Sequence, residues 1–298
     1  MSHRQNHFGS TIKTVLGDDI QWDNTKLPLK GCSSKDPTQL RRCRRHKRIE
    51  AECLLSLPHG SSFLDCGSHF GDTVLTMAIH ARAHDRNDLR FFAFEPCRRK
   101  CKFIRSMIRL NNLQGNVRIF NACVGDCVRN VSQVKETKFA KYDGRVAYRE
   151  EEIILHENRL DQTIHLGYYF NGDNDMQSDS GSESDSSDDD ESVSIRMISL
   201  DSIKSEILPV GLVHLDVEGW EPQALNGATS ILEEMKDTCF IICEVWDDKD
   251  RRRRKNAIAD NIVTAEDEIV DIMARFPHFI RQEDIIDQDR NLFYSTQS

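Results

Sequence analysis

The stretch Phe63 to Ala78, "FLDCGSHFGDTVLTMA", joins a short apolar run ending in an acid to two glycines four residues apart, then to a helix-like pattern. It has neither the G-x-G-x-x-G of a dinucleotide fingerprint nor the G-x-x-x-x-G-K-[ST] of a phosphate loop, so nothing in it is arranged to cradle phosphates. What remains is D-x-G-x-x-x-G. Gly67 and Gly71 permit close backbone approach, and Asp65 leaves a carboxylate at the carboxyl end of a strand, where α/β sheets bind ligands. A carboxylate there repels a phosphate and suits a ligand carrying a cation. S-adenosylmethionine (SAM), with an ammonium and a sulfonium but no phosphate, fits; a plain structural turn is the alternative.

Two further strand ends carry acids. "RFFAFEP" ends in Glu95, placed to accept hydrogen bonds from both hydroxyls of a ribose. NAD enzymes use an acid at the same location, so Glu95 indicates a ribose without saying which nucleotide. "NACVGD" ends in Asp126, which could meet an adenine amino group or stand as a solvated turn acid.

The elements that must position these groups alternate. A helix over about Arg41 to Leu57 is expected from Cys43, Ile49, Cys53 and Leu54 on a narrow stripe, with arginines opposite. Strand "SSFLDCG", a helix from Asp72 to about Ala83, strand "LRFFAFE", a helix from Cys97 to Asn112 and strand "NVRIFNACVG" follow. After less regular sequence, with hairpin material in "RVAYREEEIIL", come strand "GLVHLDVE", a helix from Glu221 to about Met235 and strand "TCFIICEVW". A helix over about Asn256 to Phe276 and two strand candidates, "HFIRQ" and "NLFYST", end the chain. Strands alternating with helices imply a parallel, doubly wound α/β sheet with helices on both faces.

Together "FLDCGSHFGDTVL", "FAFEP", "NACVGD" and above all "LDSI…LVHLDVEGWEPQALNGA" resemble the FkbM-type methyltransferases, over about Phe63 to Trp246. The resemblance implies a Rossmann-like, seven-stranded class I methyltransferase sheet whose seventh strand is antiparallel. It also implies SAM-dependent methyl transfer to a hydroxyl, often on a sugar, lipid or polyketide-like acceptor. His69 departs from the asparagine usual in the family's loop.

Within "VHLDVEGWEP", Asp216 ends a buried strand beside the expected reactive methyl, and His214, two residues earlier, shares its strand face. Gly219 permits the turn and Pro222 suits the first turn of a helix. A hydroxyl attacks a methyl group in line, so the protein must align the two and assist loss of the acceptor proton. Asp216 and Glu218 are the base candidates, Glu244 at the end of "IICEVW" is a third, and His214 is the fallback. Carboxylates at strand ends also bind a donor ammonium or cap a helix, and three of them together could hold Mg²⁺. A zinc site from Cys32, Cys43, His46 and Cys53 is the weaker reading, since no C-x-x-C pair occurs.

Length and composition fit one elaborated domain of 298 residues, with residues 1–58 as an arm and basic helix and 59–298 as the catalytic domain. An acid-serine insert, residues 171–192, interrupts that domain. Its part "GDNDMQSDSGSESDSSDDDES" holds nine acids and no base, so removing it from the formal charge of −9 leaves a neutral body. Such a tract cannot bury enough apolar surface to offset its ordering entropy, and it is expected to be disordered. No apolar run approaches the roughly 20 residues that span a bilayer, and the start has no signal-peptide core. The expected compartment is the cytoplasm, with the nucleus as the other one that basic runs Arg41 to Arg48 and Arg251 to Lys255 would allow. Neither run is interleaved with the aromatics that would stack bases, so nucleic acid is not the expected partner; the resemblance implies a small-molecule, glycan or lipid hydroxyl acceptor. Two rivals remain at this level: a nicotinamide-dependent oxidoreductase, and a methyltransferase-fold protein that binds without turnover.

Overall fold

The computed structural model describes residues 10–22, 37–142, 146–155, 162–169, 193–217, 219–245, 265–282 and 291–296. The chain divides into two units, Met1–Arg129 with Arg196–Ser298, and Asn130–Ile195.

In the first unit the elements are strands β1 (Ser10–Lys13) and β2 (Asp19–Trp22), helix α1 (Pro37–Ser56), β3 (Ser62–Cys66), α2 (Asp72–Ala83), β4 (Arg90–Phe94), α3 (Arg98–Leu110), β5 (Val117–Phe120) and β6 (Cys123–Val124). The second unit holds β7 (Arg129–Tyr142), β8 (Val146–Leu155) and β9 (Gln162–Tyr169), and β10 (Val193–Ile198) leads back. A 3₁₀ turn (Leu200–Ile203), α4 (Lys204–Ile207), β11 (Val210–Leu215), α5 (Glu221–Asn226), α6 (Thr229–Glu234), β12 (Phe240–Glu244), α7 (Ala265–Met273), β13 (Phe279–Arg281) and β14 (Asn291–Thr296) complete the first.

Seven strands form one sheet in the order β13-β14-β12-β11-β3-β4-β5. β5, β4, β3, β11 and β12 pair in parallel, whereas β14 runs antiparallel to both β12 and β13. This is the α/β, Rossmann-like class I methyltransferase sheet with its reversed last strand. The central strands are buried on both faces, β3 throughout, which is why they read as near-continuous apolar runs. Leu64, Cys66, Phe92, Phe94, Val213 and Leu215 join α5, α6 and α7 in one core. On the other face Phe63, Phe91 and Leu54 are sealed from solvent, each such side chain contributing roughly 1.5–3 kcal/mol.

Several elements differ from expectation. Within the expected N-terminal arm, residues 10–22 form a hairpin, β1 with β2, that the sequence pattern does not indicate. Asn111 at the end of α3 holds that hairpin by two bonds of 2.8 Å, Gln21 N–H to Asn111 Oδ1 and Asn111 Nδ2–H to Gln21 O. The helix expected over Glu221 to Met235 is two short helices, α5 and α6, parted at Gly227 and Ala228. A β-carbon at Gly227 would stand 2.0 Å from the Gly125 carbonyl, and the Asp201 carboxylate caps the restart by accepting from the N–H groups of Ser230 and Ile231. The expected last helix is described only over Ala265–Met273.

In the second unit β7 pairs with β8 and β8 with β9, all antiparallel, with Val134 opposite Ile154 and Ile153 opposite Ile164. The acid-serine insert 171–192 and the basic run Arg251 to Lys255 lie outside the described residues. Among the described residues no helix is long and apolar enough to cross a membrane.

Candidate active site

The loop after β3 is fixed by its own backbone. Gly67 N–H and Ser68 N–H both donate to the Phe94 carbonyl, at 3.0 and 2.9 Å, and Gly71 N–H donates to Ser68 O. Ser68 Oγ donates to Asp65 O at 2.7 Å and accepts from Phe94 N–H at 3.1 Å. The glycine loop is therefore laced to the end of β4, one residue before Glu95. Gly67, His69 and Gly71 all have positive φ, 86°, 52° and 80°, a region glycine enters freely and other residues at a cost. Gly67 cannot carry a side chain, because a β-carbon there would stand 1.9 Å from the Asp216 carbonyl oxygen. Asp216 N–H in turn donates to Cys66 O at 3.0 Å, so the D-x-G turn and the end of β11 lie back to back.

Glu95 is buried and accepts from Cys97 N–H at 2.8 Å. Burial pushes its carboxyl above the usual range, against the pull of the Lys100 ammonium and that N–H bond. Asp65 is also buried, and its Oδ2 has no hydrogen-bond partner among the described residues. Asp126 is about half exposed and sits 3.7 Å from Arg129 Nη2.

In the parallel ladder Asp65 lies opposite His214, so the two side chains leave one face of the sheet as neighbours. That face is covered by α1. His214 Nδ1 bonds Glu50 Oε1, and Glu50 Oε2 accepts from Lys47 Nζ at 2.6 Å. Lys47 Nζ also donates to Thr73 Oγ1, in the first turn of α2, at 2.8 Å. Burial alone would lower the His214 imidazole and raise the Glu50 carboxyl, but the pair outweighs it. His214 stands at about 9 and Glu50 at about 2, the latter pulled down by Lys47 and His214. Asp65 is raised by burial to about 6, although His214 and Lys47 oppose the rise. His214 thus occupies a buried ion-pair cluster on the α1 face.

The turn after Asp216 is organised by a residue absent from the sequence-based candidates. Glu221, fully buried, accepts through Oε1 from the N–H groups of Val217 and Gly219, at 3.0 and 3.2 Å. Burial raises its carboxyl to about 8, with the Asp216 charge acting the same way. Glu244 ends β12, paired with Asn291 of β14, and Asn291 Nδ2 lies 3.5 Å from His46 Nδ1 of α1. Glu218 lies outside the described residues. Asp65, Gly67, Gly71, Glu95, His214 and Asp216 thus converge on the carboxyl edge of β3, β4 and β11. Glu244 ends the next strand over, and Asp126 follows β6. Among the described residues no three His, Cys, Asp or Glu side chains gather closely enough to hold a metal ion.

Sequence reading missed Lys47, Glu50 and Glu221. For the first two the only signal was a pair of opposite charges three residues apart on the helix stripe beside Ala51 and Leu54.

A methyltransferase named FkbM from Methylobacillus flagellatus KT shares 12% identity, with 89% of this chain and 56% of that one covered and a TM-score of 0.41. The chain therefore spans little more than half of that protein's length. An O-methyltransferase from Bacillus cereus, solved with S-adenosylhomocysteine (SAH), shares 12% identity, with coverage of 89% and 83% and a TM-score of 0.41. No curated protein matches the chain in sequence. Residues 65–282, most of the chain, match the methyltransferase FkbM domain, and the chain belongs to the FkbM methyltransferase family.

Proposed function

We propose that the protein binds SAM at the carboxyl edge of β3 and β4 and transfers its methyl group to a hydroxyl of a small molecule, sugar or lipid. The lacing of the Gly67 loop to Phe94 O carries this reading, because it sets a turn with no side chain at Gly67 or Gly71 beside two buried carboxylates, Asp65 and Glu95. The residues fit such a donor: Asp65 keeps a buried oxygen without a hydrogen-bond partner among the described residues, matched to an ammonium, and Glu95 is matched to ribose hydroxyls. Asp126 would receive the adenine amino group. When bound, SAM supplies an electrophilic methyl on a sulfonium.

This chain's residues then have two tasks. Burial of Asp65 and Glu95 removes competing water, which strengthens their bonds to the donor. Asp216, at the end of β11, accepts the acceptor's hydroxyl proton, and Glu244, which ends β12, and Glu218 are the alternative bases. Glu221 shapes the Val217–Gly219 turn from which Asp216 is presented.

Calorimetric titration with SAM, SAH and NAD tests the reading. SAM and SAH should bind and NAD should not, and Glu95→Ala should cost about ten- to a hundredfold in SAH affinity, as expected for charge-assisted bonds of roughly 1.5–3 kcal/mol. Binding of NAD in place of SAM would overturn it, and SAH binding with no methyl transfer to any hydroxyl would favour a binding protein.

A further inference from the structure

We propose that Lys47 and Glu50 of α1 are positioning residues of the donor site: through His214 they hold a positive charge beside Asp65, and so keep Asp65 a carboxylate fit to receive the donor's ammonium. The inference rests on the SAM-binding reading above and goes beyond it, since α1 precedes the family-matched residues 65–282.

Geometry carries it. One carboxylate, Glu50, bonds two cationic groups, Lys47 Nζ on one oxygen and His214 Nδ1 on the other. Its side chain is 3% exposed, those of His214 and Lys47 15% and 18%, so water screens the cluster little. His214 is the direct ladder neighbour of Asp65. Lys47 reaches the donor loop's helix separately through Thr73. The charges then alternate, Lys47 positive, Glu50 negative, His214 positive, Asp65 negative, and the last one ends in Oδ2, which has no hydrogen-bond partner among the described residues. A buried carboxylate without a neighbouring cation protonates, and a neutral Asp65 would present no charge to an ammonium. The other polar groups around the pair are Ser68, which bonds the Asp65 backbone, and Asp72 with Thr73 on the first turn of α2. Glu95 adds a second negative charge near Asp65. Glu50 itself and Glu95 oppose ionisation of Asp65, so the cations His214 and Lys47 are what offsets them.

Two variants remove the cation by different routes. Glu50→Gln takes away the counter-ion that keeps His214 charged, and His214→Gln takes away the imidazole and leaves the Lys47–Glu50 pair. In the ligand-free protein, imidazole nitrogen chemical shifts should show His214 charged at pH 7.5 in the wild type and neutral in Glu50→Gln. In calorimetry the wild type should lose SAH affinity as pH falls through about 6. Either variant should move that limb upward, His214→Gln by about one pH unit and Glu50→Gln by less, because Glu50→Gln also takes a negative charge away from Asp65. For a one-unit move the affinity is about twofold lower at pH 7 and about fivefold lower at pH 6, and it recovers at pH 8.5.

A His214 already neutral at pH 7.5 in the wild type overturns the proposal, as does an acid limb that stays in place in the variants. An affinity lowered equally at every pH overturns it too, because that marks Glu50 as packing alone. If Glu50→Gln does not fold, His214→Gln decides by the same limb. If the wild type takes up no SAH at any pH, the donor reading fails by itself, and the imidazole spectra still decide whether Glu50 sets the charge beside Asp65.

Discussion

Gly67 lies against the main chain of Asp216, so closely that a β-carbon at Gly67 would stand 1.9 Å from the Asp216 carbonyl oxygen. The contact joins the root of the donor loop to the residue proposed as base, and displacement of one displaces the other. Gly219 is a natural control. It too has a positive φ, 97°, but an added β-carbon would meet nothing within 4 Å. Gly219→Ala should cost only the left-handed backbone strain, about 1–2 kcal/mol. Gly67→Ala should cost more than that and also weaken SAH binding. Thermal unfolding of the two variants side by side checks the order; equal losses would mean that the loop moves aside freely.

Asp216→Asn keeps the shape of the side chain and removes its charge. SAH affinity should survive while turnover, followed as SAH release from SAM with an acceptor present, falls by roughly 10²–10⁴-fold. A collapse of SAH affinity would instead make Asp216 a donor ligand. With Asp216 acting free of metal, excess chelator should leave the wild-type rate unchanged.

Stability should decline on the alkaline side. His214 has its folded-state value raised from 6.5 to about 9. Its contribution is therefore complete below about pH 6.5 and is lost as pH rises to about 9. Glu221, raised from 4.5 to about 8, acts in the same sense, since the folded state holds a proton there that the unfolded state has released. Glu50, depressed to about 2, stabilises above about pH 4.5 and loses this as pH falls toward 2. The thermal midpoint should thus fall steadily from pH 6.5 to 9. His214→Gln should flatten that fall, and an unchanged slope would contradict the ion-pair assignment.

Glu221 offers a cleaner separation of charge from hydrogen bonding. Near neutrality its carboxyl is protonated, so Glu221→Gln keeps an acceptor for Val217 N–H and Gly219 N–H and should change stability little at pH 7. Glu221→Ala leaves both N–H groups without that acceptor, at about 1–3 kcal/mol for each. Denaturant unfolding of the pair at pH 7 measures the difference. A Gln variant as damaged as the Ala variant would show that the charge, not the acceptor, organises the turn.

The candidate site was legible wherever chemistry and local pattern coincide. Asp65, Gly67, Gly71, Glu95 and Asp216 sit at strand ends or in turns, where apolar runs stop and an acid or glycine is informative by type alone. The reversed β14 was legible for a similar reason, since two strand-like runs close the chain without a long helix between them. The α1 cluster was not legible. A buried Lys47 and Glu50 look like solvated helix charges until the partner appears, and Glu50's partner His214 lies 164 positions away. Apolar periodicity scores such residues as surface, because it counts side chains and not their counter-ions. Glu221 was passed over as a helix-start acid, although its carboxyl turns back to bond the two N–H groups ahead of α5. The break at Gly227 was hidden because its cause, the Gly125 carbonyl, belongs to a distant loop.

The dependence of His214 on α1 bears on where this domain can be cut and grafted. A fragment started at residue 59 would retain every residue of the glycine loop and of "DVEGWEP", yet it would lack the acid that holds His214 and the lysine that reaches Thr73. Its β3 and β11 would present a bare imidazole and a bare carboxyl where a helix had sealed them. A chimera that borrows the motif for a new acceptor must therefore bring α1 with it, or supply another acid at the height of Glu50.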